Sequence, residues 1–327
     1  MEDKRKFPKR RKKYPTEEVE PENFYDNDEV KKLLETVDHY IFNQEDYLKL
    51  YNCVHCNECG TSAERVELNR KFLRDGNKVE GLDNMVENFK TYQTPYFTDK
   101  MRIKVPEGIP KESKRLFFMG CLSTIKIPRY TEHSLQYFLK SGLDFTIVDK
   151  EICCGYPLYV AGEVEVYEQI KQMNYEFFTK GGWEEVLCLC PACYFIFQND
   201  YPNMNMKFAY ISDYLKPSEE KKSGKVGFQH LCQLMNRGRP GVEDHVERVF
   251  RKSGYEIADI PHWCCGGGVG YMQRTDVIDK VATKRMEDFK KGDYATTYCP
   301  GCWFILSRFG KKCRIEPKIK DIFELLM

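Results

Sequence analysis

The chain has 327 residues, 15 of them cysteine, and its 51 Lys and Arg balance 50 Asp and Glu to a net charge of +1. That length makes two or three domains at about 100–200 residues each, and 42% apolar residues exclude wholesale disorder. Near-neutral charge argues against a nucleic-acid-binding protein, no apolar run approaches the roughly 20 residues that span a bilayer, and the N-terminus lacks the apolar core of a signal peptide. A cytoplasmic, reducing setting follows, where clustered cysteine points to metal or redox chemistry rather than disulfides.

Residues 1–15 carry eight Lys or Arg against two acids and residues 16–30 are acidic and polar. Residues 1–27 therefore read as a solvated, disordered tail, with a nucleic-acid or membrane arm as the alternative. A helix is expected over Asp28 to His39, with Val30, Leu33, Leu34 and Val37 on one face. Next come Cys53-Val-His-Cys56-Asn-Glu-Cys59-Gly60 and a charged helical stretch to about Gly81, making residues 28–92 a helical segment with a cysteine run. Residues 93–113 are punctuated by proline and read as a connector.

The remainder is a repeat. Cys121, Cys153 and Cys154 recur 111 positions later as Cys232, Cys264 and Cys265, and Cys190 and Cys193 recur 109 positions later as Cys299 and Cys302. This divides the chain into a first unit at 114–222 and a second at 223–327. In each, a short apolar strand (Arg115 onward; Lys225 onward) runs to the first cysteine. An amphipathic helix follows (Arg129 to Lys140; Val242 to Lys252), closed by Ser-Gly at Gly142 and Gly254. A strand (Asp144 to Asp149; Tyr255 to Ile260) then leads to Cys-Cys-Gly. After a second helix, a strand (Val186 to Leu189; Ala295 to Tyr298) enters Cys-Pro-x-Cys or its equivalent, and a last helix closes each half (Ile211 to Leu215; Ile319 to Leu326). The alternation implies an α/β fold: two tandem homologous units with parallel sheets, preceded by a small helical ferredoxin-like segment. Ligand sites of such sheets form at the carboxyl ends of strands, where all the repeated cysteines fall.

Cys-x-x-Cys alone would suit zinc, but tetrahedral zinc takes four ligands and each half offers five. Five thiolates carry a charge of about −5, which several metal ions together would compensate. An iron–sulfur cluster does so with iron and sulfide, with zinc as the alternative in one site. Gly266-Gly-Gly-Val-Gly270 is expected to open a helix after Cys265. It reads as support for an anionic cluster ahead of a phosphate cradle. His230 and His262 flank cysteines of the second half and are candidate proton donors to a nascent thiolate, a structural role being the competing reading.

This pattern resembles the cysteine-rich CCG-domain family, best known from the catalytic subunit of heterodisulfide reductase, which occurs alone or fused. The resemblance covers roughly residues 114–327 and all ten repeated cysteines. It implies one noncubane [4Fe-4S] cluster on Cys121, Cys153, Cys154, Cys190 and Cys193, and another on Cys232, Cys264, Cys265, Cys299 and Cys302. It further implies reduction of a disulfide of the coenzyme M–coenzyme B type, as in methanogenesis. The chain would then work in a hetero-oligomeric complex with other iron–sulfur or flavin redox subunits.

Cys53, Cys56 and Cys59 match the start of a ferredoxin run, C-x2-C-x2-C-x3-C-P, but Ala63 and Glu64 stand where its last cysteine and proline belong. A further [4Fe-4S] cluster there would need a fourth ligand. Cys188, Cys313, His55 or a partner protein are the candidates, and a zinc knuckle or a metal-free motif are the alternatives. The family's electron-feeding module carries two such cubanes. At most one is encoded here, which makes a partner iron–sulfur protein the expected electron source. Two other roles compete with disulfide reduction: a component of a quinone-linked hydroxyacid dehydrogenase, and a cluster carrier in a metalloenzyme maturation assembly.

Overall fold

The computed structural model describes residues 25–201, 204–268, 274–313, 316–317 and 319–327. The expected tail falls mostly outside the described residues, as do the last two positions of the glycine-rich stretch, 269 and 270, and the side chain of Cys313.

The N-terminal segment is helical. α1 (Asn27–Glu35) opens on a capping box, in which the Asp26 carboxylate accepts from Glu29 N and the Glu29 carboxylate from Asp26 N. It stops four residues short of the expected His39, because the chain turns at Thr36. α2 (Tyr47–Tyr51), α3 (Ser62–Arg74) and α4 (Leu82–Tyr92) follow. This layer docks on the first half of the repeat. Tyr51 Oη donates to Ala161 O at 2.8 Å, and Asn69 Nδ2 donates to Val160 O at 2.9 Å. Gly162, at φ +85°, lies so close that a Cβ there would sit 2.5 Å from the backbone of Asn69, so the contact excludes any side chain at this position.

Each half then builds a parallel sheet. In the first, β1 (Arg115–Phe118), β2 (Glu185–Cys188) and β3 (Lys207–Tyr210) pair in that order. In the second, β4 (Lys225–Gln229) lies between β5 (Glu256–Ile257) and β6 (Tyr294–Thr297), and β7 (Ile319–Asp321) pairs with β6. A single bridge from Leu116 to Thr146 stands where β5 does, so the two halves repeat in topology as in sequence. The expected strands at 144–149 and 255–260 shrink to that bridge and a two-residue pair. In the first half the connector takes over that edge, with Thr146 Oγ1 donating to Pro110 O.

Helices cover these sheets: α5 (Cys121–Ile125), α6 (Pro128–Lys140), α7 (Tyr156–Ala161), α8 (Glu165–Gly181) and α9 (Pro191–Asp200) in the first half. The second holds α10 (Cys232–Met235), α11 (Val242–Ser253), α12 (Thr275–Asp288), α13 (Pro300–Cys313) and α14 (Ile322–Leu326). α11 ends at Gly254 in the left-handed region, as the Ser-Gly pattern requires. Two closing elements differ from expectation. Residues 211–214 form one 3-10 turn, and 319–321 pair as a strand before α14 begins. Among the described residues no helix is long and apolar enough to cross a membrane.

The halves pack through α6 and α14, where Phe323 meets Tyr130, Tyr137 and Phe138 at 5.5–5.8 Å between ring centres. His133 Nδ1 lies 2.8 Å from the buried Asp321 carboxylate, which also caps α14 at Glu324 N. This hydrogen bond raises the His133 pKa above its ordinary value. A raised folded-state pKa stabilises fully below the unfolded value, and the stabilisation is lost as pH rises through the folded value. His133→Gln should therefore cost about 1–2 kcal/mol at pH 6, and the penalty should shrink toward pH 8. Melting curves of both proteins at the two pH values check this, and a penalty that grows with pH would contradict it.

Candidate metal centre

Parallel pairing puts the ends of β1 and β2, and of β4 and β6, side by side. Each strand delivers its cysteine into the start of a helix. Cys121 opens α5, Cys190 caps α9, Cys232 opens α10 and Cys299 directly precedes α13. Proline at the first position of α9 and α13 suits the start of a helix, and the exposed N–H groups there favour anions. The glycine of each Cys-Cys-Gly takes a left-handed φ, +85° at Gly155 and +78° at Gly266. The turn that brings two adjacent thiols to one place therefore needs a residue without Cβ.

The five thiols of the first half contact one another in sequence. Cys121 Sγ lies 3.3 Å from Cys153 Sγ, and Cys153–Cys154, Cys154–Cys193 and Cys193–Cys190 are further hydrogen-bonding pairs. The second half gives the same order under the repeat: Cys232–Cys264, Cys264–Cys265, Cys265–Cys302 at 3.2 Å, and Cys302–Cys299. The charge of Cys190 in the first series acts on Cys299 in the second. All ten repeated cysteines thus fall into two groups of five.

The electrostatics show what such groups lack. Neighbouring thiols push Cys153, Cys154, Cys193, Cys264 and Cys302 well above the ordinary range and pull Cys190 and Cys265 below it. Thiols this close cannot all ionise without cations among them. Backbone amides already point at the sulfurs, Gly266 N to Cys264, Gly267 N to Cys265 and Cys302 N to Cys299, at 3.2–3.4 Å. The Tyr130 hydroxyl is fully buried and without a hydrogen-bond partner, and the charges acting on it are those of Asp321, Cys299, Cys302 and Cys190. An orphaned buried donor in the field of these thiols is compatible with an anionic group held among them. Among the described residues no three cysteine sulfurs lie within 4.8 Å of one another, while His133, Asp321 and Glu324 do. The hydrogen bonds between His133, Asp321 and α14 account for that trio.

Three buried side chains outside the cysteine pattern hold the loops in place. The Glu151 carboxylate accepts from Met119 N and Gly120 N at 2.7 and 2.6 Å, tying the turn before Cys121 to the turn before Cys153. Burial pushes its pKa up to about 7. Asn174 of α8 donates to Cys153 O at 2.9 Å. Arg285 of α12 donates to Gln229 Oε1, Phe228 O and Pro261 O at 2.6–2.9 Å, joining the end of β4 to the segment that enters Cys264. None lies in a recognisable motif. The signal available was position: Asn174 and Arg285 are 111 residues apart, the interval of the repeat.

His230 bonds Tyr298 Oη and Glu247, each at 3.2 Å, and its ring lies 4.8 Å from that of His262. Partial burial lowers the His262 pKa. The two rings line a cavity of about 180 Å³ with Glu247 and Arg251, which fits the structural role as well as the proton-donor one. In the repeat they stand at the positions of Met119 and Glu151, 111 residues earlier.

Cys53, Cys56 and Cys59 lie in one loop after α2. Burial pushes the Cys53 thiol up to about 11, hydrogen bonding with Cys264 brings Cys56 down to about 6, and Cys59 is lowered by its contact with Thr61. Cys188 is sealed inside β2, where the charges acting on it are those of Cys190, Cys154 and Glu151. It belongs to the first half and is not placed to complete the N-terminal run. Cys313 lies outside the described side chains. His55 is buried with Nδ1 3.3 Å from Ser62 Oγ, and burial lowers its pKa to about 3.

A cysteine-rich domain family, CCG, matches residues 115–198 and 226–307. An iron–sulfur protein of uncharacterized function from Methanocaldococcus jannaschii is 23% identical over 302 residues, 85% of this chain and 61% of that protein. One component of a fumarate reductase (CoM/CoB) from Methanothermobacter marburgensis is 24% identical, over 64% of this chain and 45% of that component. One component of the ferredoxin:CoB-CoM heterodisulfide reductase from Methanosarcina acetivorans is 23% identical, over 47% and 39%. The chain thus spans about three fifths of the first of these and less than half of the other two. Two matched copies cover half of its length and contain all ten paired cysteines, so the chain belongs to the CCG cysteine-rich domain family.

Proposed function

We propose that this chain is an iron–sulfur oxidoreductase component of heterodisulfide-reductase type, with residues 114–222 and 223–327 as two cluster-binding domains. Cys121, Cys153, Cys154, Cys190 and Cys193 would hold one noncubane [4Fe-4S] cluster, and Cys232, Cys264, Cys265, Cys299 and Cys302 the other. The observation that carries the reading is the same order of sulfur contacts in both halves. When bound, such clusters supply single electrons and open iron positions for sulfur, and cleaving a disulfide takes two electrons and yields two thiolates.

The chain's own part is to hold and seal. Parallel strands fix the five sulfurs of each half, and Glu151, Asn174 and Arg285 lock the turns that carry them. The Tyr130 hydroxyl, buried and unpaired, would be free to donate to a bound anionic group. The substrate class is a small disulfide of the coenzyme M–coenzyme B kind, and electrons come from other iron–sulfur or flavin subunits of a cytoplasmic complex. Zinc in one half is the poorer alternative, because tetrahedral zinc takes four ligands and each half offers five thiols.

Electron paramagnetic resonance of the anaerobically prepared, cluster-loaded protein tests this. Oxidised protein given coenzyme M or coenzyme B thiol should develop a new paramagnetic signal. A fully loaded protein whose spectrum ignores both thiols and that reduces no heterodisulfide would defeat the proposal.

A further inference from the structure

The N-terminal cysteine run is not a free-standing module; it is seated on the second group of five. Gln233 Nε2 and Arg237 Nη2 both donate to His55 O at 3.0 Å, and Asn236 Nδ2 donates to Cys56 O at 3.1 Å. All three belong to α10 or the turn after it, the segment that Cys232 opens. Asn57 Nδ2 answers by donating to Asn236 O at 2.5 Å. On the opposite side, a Cβ on Gly268 would sit 1.9 Å from Val54 O, so the backbone following Cys264-Cys265 touches the backbone of the run itself.

Within that seat the chain is bent around one residue. His55 and Asn57 take φ of +50° and +61°, a region that non-glycine residues seldom enter. Cys56 lies between them. The other two sulfurs are engaged locally, Cys53 Sγ accepting from His55 N at 3.3 Å and Cys59 Sγ lying 3.1 Å from Thr61 Oγ1. Cys56 instead pairs with Cys264 of the second group. The repeat supplies a control. The equivalent of Cys264 in the first half is Cys153, whose thiol partners are Cys121 and Cys154.

We propose that Cys56 is a sixth thiolate ligand of the second five-cysteine site, and that the N-terminal run holds no cluster of its own. This rests on the reading that the second group binds an iron–sulfur cluster. The duplicated sites are then unequal. The first has five sulfurs and the second six, and the added anionic donor moves the second site's reduction potential in the negative direction relative to the first.

The test uses the full chain, loaded with iron and sulfide under anaerobic conditions. Wild type should carry about eight iron atoms, and Cys53→Ala and Cys59→Ala should retain them. Cys56→Ala and Cys56→Ser should change the paramagnetic signal that Cys265→Ala abolishes, and leave untouched the signal that Cys153→Ala abolishes. Mass spectrometry after brief iodoacetamide treatment of loaded wild type should find Cys59 labelled and Cys56 protected, a readout that does not depend on any variant folding. About twelve iron atoms, falling by about four in each of the three N-terminal variants, would overturn the proposal. So would a Cys56→Ala spectrum identical to wild type, or a labelled Cys56. Zinc without iron would overturn the cluster reading beneath it and is told apart by metal analysis alone.

Discussion

Replacing Cys265 with alanine is expected to remove about four iron atoms per chain while about four remain, and Cys153→Ala should do the same in the other half. The expectation follows from connectivity. Cys265 links Cys264 to Cys302 in the middle of its series, so its loss parts the remaining sulfurs into two groups that no longer touch. The first series has its own complete set of contacts, and no thiol of the second is among them. Iron and acid-labile sulfide analysis of the two variants, with their spectra, measures this. Equal loss from both halves in either variant would mean that the ten cysteines bind one shared assembly. Cluster binding also contributes folding energy, so each variant should melt below the wild type, with the affected half becoming susceptible to protease first.

Much of this centre was legible in the sequence because its logic is periodic. The offsets of 111 and 109 residues give the repeat, the repeat gives two similar α/β units, and parallel sheets gather strand-end residues in one place. The structure adds the order of contacts within each group. Other features were not legible, for reasons that lie in the chain. The strand Lys207–Tyr210 is four residues long and carries no cysteine, and its partner β2 lies about twenty residues away. Residues 319–321 share an apolar pattern with the helix that follows, and only pairing with β6 makes them a strand. The N-terminal run looked like a truncated ferredoxin because its spacing is local. Its seat is made by Gln233, Asn236 and Arg237, which are polar residues without a motif about 180 positions away. Glu151, Asn174 and Arg285 were hidden because they bond mostly to backbone atoms, whose positions no residue pattern states.

Arg285→Met should be among the most destabilising single changes outside the cysteines, at about 3–5 kcal/mol. The side chain is 1% exposed and pairs with Asp288 at 3.1 Å, yet its larger service is to three acceptors on two separate segments. Phe228 O, Pro261 O and Gln229 Oε1 each receive one of its N–H groups. Methionine fills similar volume but leaves those oxygens buried and unpaired, at about 1–3 kcal/mol each before any relaxation. Lysine should rescue little, since a single ammonium cannot reproduce a planar fork with donors in three directions. The harm should also be local. Gln229 and Pro261 lead into Cys232 and Cys264, so the second cluster's signal should broaden or be lost while the first persists. Asn174→Ala in the first half removes one donor to Cys153 O and should cost about 1–2 kcal/mol, with the pattern reversed. Denaturant melts of loaded protein, read alongside both spectra, check the pair. A loss under about 1 kcal/mol in Arg285→Met, with the second signal unchanged, would show that this arginine does not position the site.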